Sequence, residues 1–426
     1  MTKLINFETQ MTLHSTFLKT LAERGFLNQC TDQTGLDEYA QANKIIAYIG
    51  FDCTADSLHV GNLISIMMLR HLQQTGHKPI VLLGGGTSKV GDPSFKDEAR
   101  KMLSLEQIEH NKQGIKKAFE KFLTFGDGPN DAIMVDNADW LDHLNYMAFL
   151  RDYGIHFSVN RMLSFDSVKM RLEREQNLSF LEFNYMILQA YDFAELNKRY
   201  NCVLQMGGQD QWGNIVNGTD LTRRVNHKHV FGLTSPLLTM SDGTKMGKTE
   251  RGAVWLNADK LSPYDYWQFW RNASDADVGT LLRFYTELPI AEIEKLEKLE
   301  GNQLNEAKII LANEATTLCH GIDAARHSFE TAKKVFEEGG SGGDLPSLEI
   351  SMNDLEKGLS FIETLKQIGF VESNGEAKRL IKGRGARVNN NVIDDEAYSL
   401  STKDLIDGSI KVSAGKKHHG VIVVKK

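Results

Sequence analysis

The sequence predicts an α/β fold built on a doubly wound parallel sheet, followed by a mostly helical region and a small α+β module at the C-terminus. Three observations lead to this prediction. Strand-like apolar runs alternate with amphipathic helical stretches, the alternation fades from about Val230, and a glycine-rich linker precedes a basic tail. With 426 residues, 41% of them hydrophobic, the chain is long enough for two or three domains.

Four apolar runs of strand length define the predicted sheet. Helical periodicity separates them, which is typical of strands joined by crossover helices. Ligands of such sheets bind beyond the carboxyl ends of the strands, so we expect the polar residues after the runs to form the site. The runs are Ile45 to Phe51, Ile80 to Leu83, Ile133 to Val135 and Val203 to Met206.

The expected domain boundaries follow the composition. Residues 1–230 carry the alternating pattern, residues 231–338 are mostly helical, and residues 339–350 begin with a run of Gly and Ser typical of a flexible linker. Residues 351–426 hold thirteen Lys and Arg against ten Asp and Glu, a net charge of +3, whereas the rest of the chain carries −10. A basic module on an acidic body favours a nucleic-acid partner for the tail.

The composition is otherwise that of an ordinary globular protein. No apolar run approaches the roughly 18 residues of a membrane span, and the first residues lack the apolar core of a signal peptide. Four cysteines are scattered without the spacing of a disulfide framework or a zinc site. We therefore expect a cytoplasmic protein with no membrane association, no metal site of its own and no tightly bound prosthetic group.

Two short segments predict the two halves of one nucleotide site. The first, His59-Val60-Gly61-Asn62, lies where a strand leads into an apolar-periodic helical stretch. A helix N-terminus binds phosphate because its free N–H groups and its dipole face an anion. The second, residues 241–249, is rich in Gly and carries Lys245 and Lys248; this lysine loop can fold over that phosphate.

Each segment also has a simpler explanation when it is considered alone. Lys245 and Lys248 could be solvated surface residues, and His59 could merely cap a helix or pack in the core. The sequence Gly247-Lys248-Thr249 matches the end of a Walker A motif, but position 242 is Asp where that motif requires its first glycine. We therefore set the Walker A interpretation aside.

A polar stripe marks an otherwise apolar helical stretch. Tyr185, Gln189 and Asp192 are spaced i, i+4 and i+7, which places them on one helix face. Because buried polar groups cost free energy unless they have partners, the stripe faces either an internal hydrogen-bond network or a ligand cavity. By itself, the stripe favours the internal network.

Together these motifs resemble those of bacterial-type tyrosyl-tRNA synthetases, class I enzymes with HIGH and KMSKS signatures. The resemblance implies a Rossmann-like catalytic domain that activates L-tyrosine with ATP and Mg²⁺ to tyrosyl-adenylate and pyrophosphate. The tyrosyl group would then pass to the 3′-terminal adenosine of tRNA(Tyr), and a homodimer is expected. The motifs run in family order through essentially the whole chain: residues 48–52, 59–62, 91–94, 182–193, 205–214 and 245–249.

The resemblance also implies a role for each site residue. The tyrosine-binding residues would be Tyr48 and Asp192 at the phenol hydroxyl, Asp92, Tyr185 and Gln189 at the α-ammonium group, and Gln205 nearby. The ATP-binding residues would be Gly50, Asp52, His59, Gly61, Asn62, Asp210, Gln211, Lys245, Lys248 and Thr249, with Asp210 on the ribose. The catalytic residues would be Thr54, His59, Asn62, Lys96, Arg100, Lys245 and Lys248.

Three positions depart from the family pattern. Asn62 replaces the second His of the HIGH-type motif, Cys53 replaces the usual Pro, and Ile49 replaces a frequent Cys. Asn62 keeps a hydrogen-bond donor and an acceptor but cannot carry a positive charge. Ile49 cannot donate to a ribose hydroxyl, so that contact is not carried over.

The tail resembles an S4-type RNA-binding module. Lys378, Arg379 and Lys382 share one helix surface on which they can neutralise phosphates, and Arg384 and Arg387 follow. A solvated basic helix is the alternative, but the linker and the charge asymmetry favour RNA.

Two other functions remain open at this level. A tryptophan-tRNA ligase shares the fold and the chemistry, but an indole offers one donor and matches Asp192 beside Tyr48 poorly. A non-catalytic S4-type RNA-binding protein would keep the tail on a decayed synthetase body. The intact lysine loop, Asp92 and Asp210 argue against decay.

Overall fold

The computed structural model divides the chain into two compact units. It describes residues 12–92, 103–244, 246–249, 252–337, 346–389, 391–406, 408–415 and 418–425. The first unit contains the described residues up to Leu261 together with Ser274–Ala307, and the second contains Ser262–Ala273 and the described residues from Lys308 onward. No helix among the described residues is both long enough and apolar enough to span a membrane.

A six-stranded sheet forms the centre of the first unit. All its strands are parallel except β1, which pairs antiparallel with β6 at one edge. The order across the sheet is β1-β6-β5-β2-β3-β4, which confirms the predicted α/β class. The strands are β1 (Gln29–Cys30), β2 (Ile46–Asp52), β3 (Lys78–Gly84), β4 (Ile133–Asp136), β5 (Leu204–Gly208) and β6 (Phe231–Ser235).

The sheet extends beyond the boundary that the composition suggested at residue 230. β6 begins at Phe231 and lies beside β5. Its sequence, Phe-Gly-Leu-Thr-Ser, contains a glycine and two hydroxyl residues, so its apolar signal is weak although all five positions are buried. Burial between β1 and β5, rather than residue type, makes it a strand.

Helices cover the sheet and continue into the second unit. The second unit contains α11, α15 and most of α14. A further short hairpin, β7 (Lys248–Thr249) with β8 (Gly252–Ala253), closes the lysine loop. The helices are α1 (Thr16–Arg24), α2 (Gln33–Ala42), α3 (Val60–Gln74), α4 (Leu105–Phe119), α5 (Ala138–Leu141), α6 (Tyr146–Asp152), α7 (Val159–Leu163), α8 (Asp166–Glu173), α9 (Phe180–Tyr200), α10 (Trp212–Asn226), α11 (Pro263–Arg271), α12 (Val278–Tyr285), α13 (Ile290–Leu296), α14 (Leu304–His320) and α15 (Ile322–Glu337).

The strand order creates a crevice next to β2. The chain builds outward from β2 through β3 to β4 on one side and reaches β5 and β6 on the other. Such a reversal leaves an opening beyond the carboxyl ends of the central strands. α9 borders it and is fixed at both ends: Ser179 and Glu182 form a capping box, and Asn201 ends the helix in the left-handed conformation at φ +52°.

The C-terminal module has a hydrophobic core of its own. All members of the core cluster lie between residues 348 and 424, including the fully buried Phe361, Leu365, Ile381 and Ile410. A five-stranded sheet in the order β12-β11-β14-β15-β9 supports it, as expected for a small α+β module. The elements are β9 (Ser347–Ser351), α16 (Met352–Glu356), β10 (Leu359–Ser360), α17 (Phe361–Gln367), α18 (Asn374–Lys382), β11 (Ala386–Val388), β12 (Asn391–Ile393), β13 (Ser399–Leu400), β14 (Ser409–Ala414) and β15 (His418–Lys425).

Candidate active site

A cavity of about 660 Å³ opens at the carboxyl ends of β2, β3, β5 and β6. It gathers the expected site residues from four separate stretches of sequence. Those that line it are Tyr48, Gly50, Asp52, Thr54, His59, Gly61, Asn62, Asp92, Tyr185, Gln189, Asp192, Gln205, Asp210 and Gln211. Lys96, Arg100 and Lys245 lie outside the described residues, and only the backbone is described at Lys248 and Thr249.

At the closed end of the cavity, a buried carboxylate faces a buried phenol. Tyr48 is 1% exposed and Asp192 is 2% exposed. The Tyr48 hydroxyl has no hydrogen-bond partner among the described residues. Burial raises the pKa of Asp192 to about 7, and the carboxylates of Asp52 and Asp136 act in the same direction. This end can therefore receive a ligand hydroxyl that donates to Asp192 and accepts from Tyr48.

Two donors fix the Asp192 carboxylate. Trp140 Nε1 donates to Oδ1 at 2.7 Å and Asn137 Nδ2 donates to Oδ2 at 2.9 Å. Asn137 also accepts from the Gly86 amide at 2.8 Å, which ties the turn after β3 to α9. Sequence reasoning missed both donors. Asn137 lies two residues after the predicted strand Ile133–Val135, so the strand-end rule applied there would have found it, but Trp140 carries no comparable signal.

A second polar network lies further along the polar stripe of α9. Gln211 Nε2 donates to Asp92 Oδ2 at 3.0 Å and to Asp210 Oδ2 at 3.2 Å. Asn214 Nδ2 donates to Gln189 Oε1 at 2.9 Å and to Gln211 Oε1 at 3.1 Å. The stripe therefore has an internal hydrogen-bond network and also faces a cavity, so the two explanations of its spacing are compatible. Asn214 is a further residue that the sequence did not single out.

Tyr185 is oriented toward β2 rather than toward Asp92. Its hydroxyl donates to Asp52 Oδ2 at 3.2 Å, while Thr87 donates to Asp52 Oδ1 at 2.8 Å. Burial and then the charge of Asp52 raise the pKa of Tyr185 well above its ordinary value, so the phenol stays a donor. Asp52 thus links the end of β2 to α9 and to the turn after β3.

His59 and Asn62 cap the start of α3 reciprocally. The Gly61 amide donates to His59 Nδ1 at 3.0 Å, and the His59 amide donates to Asn62 Oδ1 at 3.1 Å. Because Nδ1 accepts, the neutral imidazole carries its proton on Nε2. Asn62 uses the acceptor that it retains in place of the usual His, so the substitution preserves the helix start.

The lysine loop packs directly against this helix start. A Cβ atom on Gly247, whose φ is +88°, would lie 2.5 Å from the Gly61 nitrogen. Immediately after the loop, the Val60 amide donates to the Val254 carbonyl at 2.9 Å and the Leu256 amide donates to the Leu58 carbonyl at 2.8 Å. The two segments that the sequence predicted to be halves of one site are in contact.

The basic residues of the tail lie on its surface. Lys378, Arg379, Lys382, Arg384 and Arg387 are all exposed, whereas Ala377 and Ile381 turn the opposite face of α18 into the module core. α18 thus presents cations to solvent as its sequence pattern indicated.

The similarity of the chain to known proteins runs through both units. Residues 40–337 match the family model of class I tRNA synthetases for tryptophan and tyrosine. A tyrosine-tRNA ligase of Zymomonas mobilis is 61% identical over 409 residues, which cover 96% of this chain and 98% of that protein. The chain belongs to the bacterial tyrosyl-tRNA synthetases. A tyrosine-tRNA ligase of Dinoroseobacter shibae, 58% identical over 408 residues with the same coverage, agrees.

Solved structures lead to the same family. A C-terminally truncated mitochondrial tyrosyl-tRNA synthetase of Aspergillus nidulans superposes with a TM-score of 0.69 at 29% identity, covering 76% of this chain and 95% of that one. As a tyrosyl-tRNA synthetase, the enzyme uses ATP to join tyrosine to tRNA(Tyr) through tyrosyl-adenylate. The tryptophan ligase and the decayed, non-catalytic protein are thereby set aside.

Proposed function

We propose that the closed end of the cavity selects tyrosine through its phenol hydroxyl, which donates to Asp192 and accepts from Tyr48. The observation that carries this assignment is a carboxylate held by Asn137 and Trp140 opposite a buried hydroxyl that has no partner among the described residues. Phenylalanine would leave the buried Tyr48 hydroxyl without a partner and the Asp192 carboxylate without the ligand's donor, and a site built to bind a hydroxyl rejects such an analogue strongly.

The experiment compares Asp192→Asn with Asp139→Asn, an exposed carboxylate in the same turn as Trp140. Amino-acid-dependent exchange of labelled pyrophosphate into ATP gives kcat/KM for tyrosine and phenylalanine. About 10⁵-fold discrimination is recorded for a tyrosyl-tRNA synthetase and is taken over here as the starting value. We expect Asp192→Asn to reduce the preference by about 10³-fold or more, and Asp139→Asn to leave it unchanged. An undiminished preference in Asp192→Asn contradicts the assignment.

The next positions along the cavity would hold the substrate backbone. We assign the α-ammonium group to Asp92 and Gln189, supported by the one network that joins them: Gln211 donates to Asp92, and Asn214 donates to both Gln189 and Gln211. The Tyr185 hydroxyl, which donates to Asp52, would contact the α-ammonium group from that side of the cavity. Gln205 lines the cavity nearby. A primary ammonium group has three N–H donors, so it can bind a carboxylate and amide oxygens that lie close together.

The nucleotide would lie across the start of α3. Gly50 and Gly61 would let its backbone approach closely, Asp210 would bind the ribose, and Thr54 and His59 would donate to the α-phosphate. Tyrosine's carboxylate attacks that phosphate and pyrophosphate leaves, so positioning and charge stabilisation suffice. The cations assigned to the departing pyrophosphate are Lys96, Arg100, Lys245 and Lys248, with Asn62, Gln211 and Thr249 completing the nucleotide set.

Mg²⁺ is proposed to enter with ATP. The cavity contains the carboxylate oxygens of Asp52 and Asp210, the ligand type that this ion accepts directly or through water. Bound to the phosphates, it would add to charge neutralisation. The chain's own residues would orient tyrosine and the α-phosphate for the reaction.

The C-terminal module would grip tRNA away from the chemistry. The proposal that residues 351–426 form a separate domain after the 339–350 linker is supported by a core confined to residues 348–424 and by the exposed cations on and after α18. Truncation at residue 343 should leave pyrophosphate exchange nearly intact while tRNA charging falls by at least about tenfold. Equal loss of both activities would mean that the tail supports the catalytic fold instead.

A second copy of the chain is proposed to cover an apolar patch on the first unit. Met147 is 71% exposed and Ile155 is 77% exposed, and Tyr146, Val159 and Phe180 are also exposed. Clustering of such side chains along α6, α7 and the start of α9 is typical of an isologous interface. Sedimentation should give a dimer that Met147→Asp weakens; a monomeric unaltered chain would contradict the proposal. The four cysteines, none of which is in a disulfide, agree with a reducing cytoplasmic location.

A further inference from the structure

Trp140 lies between two residues of the same helix face. Its indole N–H donates to Asp192 at 2.7 Å, and the Arg199 guanidinium carbon lies 5.1 Å from the centre of its ring. Asp192 and Arg199 are seven residues apart in α9, two helical turns or about 10 Å along the axis. The indole therefore extends along α9, with one edge on the carboxylate and its face under the cation.

Arg199 is itself held in place. Its Nε donates to Glu195 Oε2 at 2.7 Å, and Glu195 Oε1 accepts from the Tyr191 hydroxyl at 3.0 Å. The Glu195 side chain is 8% exposed and that of Arg199 is 42% exposed. The guanidinium is thus fixed from the buried side while it covers the indole from the solvent side. A planar cation on an indole face is an attractive arrangement.

The element that carries Trp140 is short. α5 contains four residues, Ala138–Leu141, and Asn137 before it has no side-chain capping bond to the helix. One turn of helix restrains a large side chain weakly, so the indole orientation depends on its packing in the surrounding hydrophobic core and on its contacts with α9. Two of those contacts are directional: the hydrogen bond to Asp192 and the stack under Arg199.

We infer that Arg199 is a positioning residue for amino-acid specificity, which acts through Trp140 by keeping the indole N–H on the Asp192 carboxylate. The inference rests on the proposed role of Asp192 in binding the tyrosine hydroxyl. If Arg199 serves only as the i,i+4 partner of Glu195, its loss costs a little helix stability and leaves specificity unchanged.

The test uses the full-length enzyme and pyrophosphate exchange with tyrosine and phenylalanine. Arg199→Met keeps an apolar cover over the indole but removes the cation, Arg199→Lys keeps a cation, and Lys198→Met removes the neighbouring exposed charge of the same turn. We expect Arg199→Met to raise the tyrosine KM and lower the preference over phenylalanine by roughly two- to thirty-fold, the range of a cation–π contact, with kcat little changed. Arg199→Lys should restore part of the loss, and Lys198→Met should have no effect.

A double variant decides whether the effect passes through the indole N–H. Trp140→Phe keeps a ring but removes the donor. In that background Arg199→Met should cause no further loss of preference, because coupled residues are not additive. If the two substitutions cause independent losses of preference that multiply in the double variant, the inference is overturned. An unchanged preference in Arg199→Met, or an equal loss in Lys198→Met, would also overturn it. Asp192→Asn separates the two proposals. If this variant keeps the preference for tyrosine over phenylalanine, the assignment of Asp192 fails. If the preference falls in Asp192→Asn but is unchanged in Arg199→Met, only the role of Arg199 is overturned.

Discussion

At the end of the cavity that is proposed to bind tyrosine, Tyr48 and Asp192 are almost wholly buried, and two side chains from outside α9 hold the Asp192 carboxylate. At the end that is proposed to bind the nucleotide, His59 and Gly61 are half-buried and are held by backbone contacts with the lysine loop and the residues after it. The carboxylate at the first end is fixed because both of its oxygens accept a hydrogen bond. The second depends on how closely two stretches of main chain approach each other.

This difference separates two properties of the enzyme. With the proposed roles, the fixed, desolvated groups would determine which amino acid is accepted, because an analogue without the phenol hydroxyl loses binding energy there. The close main-chain approach would determine how well donors and cations surround the phosphates in the transition state. A change at one end should therefore leave the property of the other end intact.

The larger expected effect comes from Gly247→Ala. A Cβ there would meet the Gly61 nitrogen, and the residue would also keep an unfavourable φ of +88°. We expect the single-turnover rate of adenylate formation to fall by about 10- to 100-fold, with the tyrosine Kd unchanged. Gly243→Ala is the matched control, since its φ is +84° but no atom of the described residues lies within 4 Å of the new Cβ. Equal losses in both variants would show that strain alone, and not the contact, matters.

A smaller effect is expected from pH and should appear only at the tyrosine end. With the pKa of Asp192 raised to about 7, lowering the pH below 7 protonates the carboxylate, which removes its charge and turns one acceptor oxygen into a hydroxyl, so it holds the phenol less strongly. The kcat/KM for tyrosine should fall up to about tenfold per unit below that pH. The groups that face Asp192 include Tyr48, Tyr185, Asn137, Trp140 and the carboxylates of Asp52 and Asp136.

Trp140→Phe sharpens the pH measurement. The hydrogen bond from Trp140 favours the ionised carboxylate, so its removal should move the acid limb to higher pH. The KM for ATP, measured over the same range, serves as the internal reference. A parallel fall in ATP binding, or an acid limb that stays in place in Trp140→Phe, would assign the titration to another group.

The sequence was sufficient where function imposes a local pattern. His59 and Asn62 at a helix start, the α9 stripe and the exposed cations of α18 lie on elements that their own periodicity defines. It was insufficient where a partner comes from elsewhere in the chain. In the sequence, Trp140 is marked only as an apolar residue, and its role as a donor is visible only when the fold places Asp192 beside it. Similarly, β6 is a strand because β5 and β1 flank it. Such contacts arise from the assembled fold.

The position of β15 in the tail sheet has a consequence for synthesis of the protein. β15 lies between β14 and β9, although β9 precedes it by some seventy residues of sequence. The sheet therefore stays open, and β9 lacks its partner, until residues 418–425 have been translated. Domains generally fold in order of synthesis, so the nascent chain can complete the unit that contains the cavity before the tail sheet closes. With the roles proposed above, a premature stop before β15 would release an enzyme that activates tyrosine but lacks a folded module for binding tRNA.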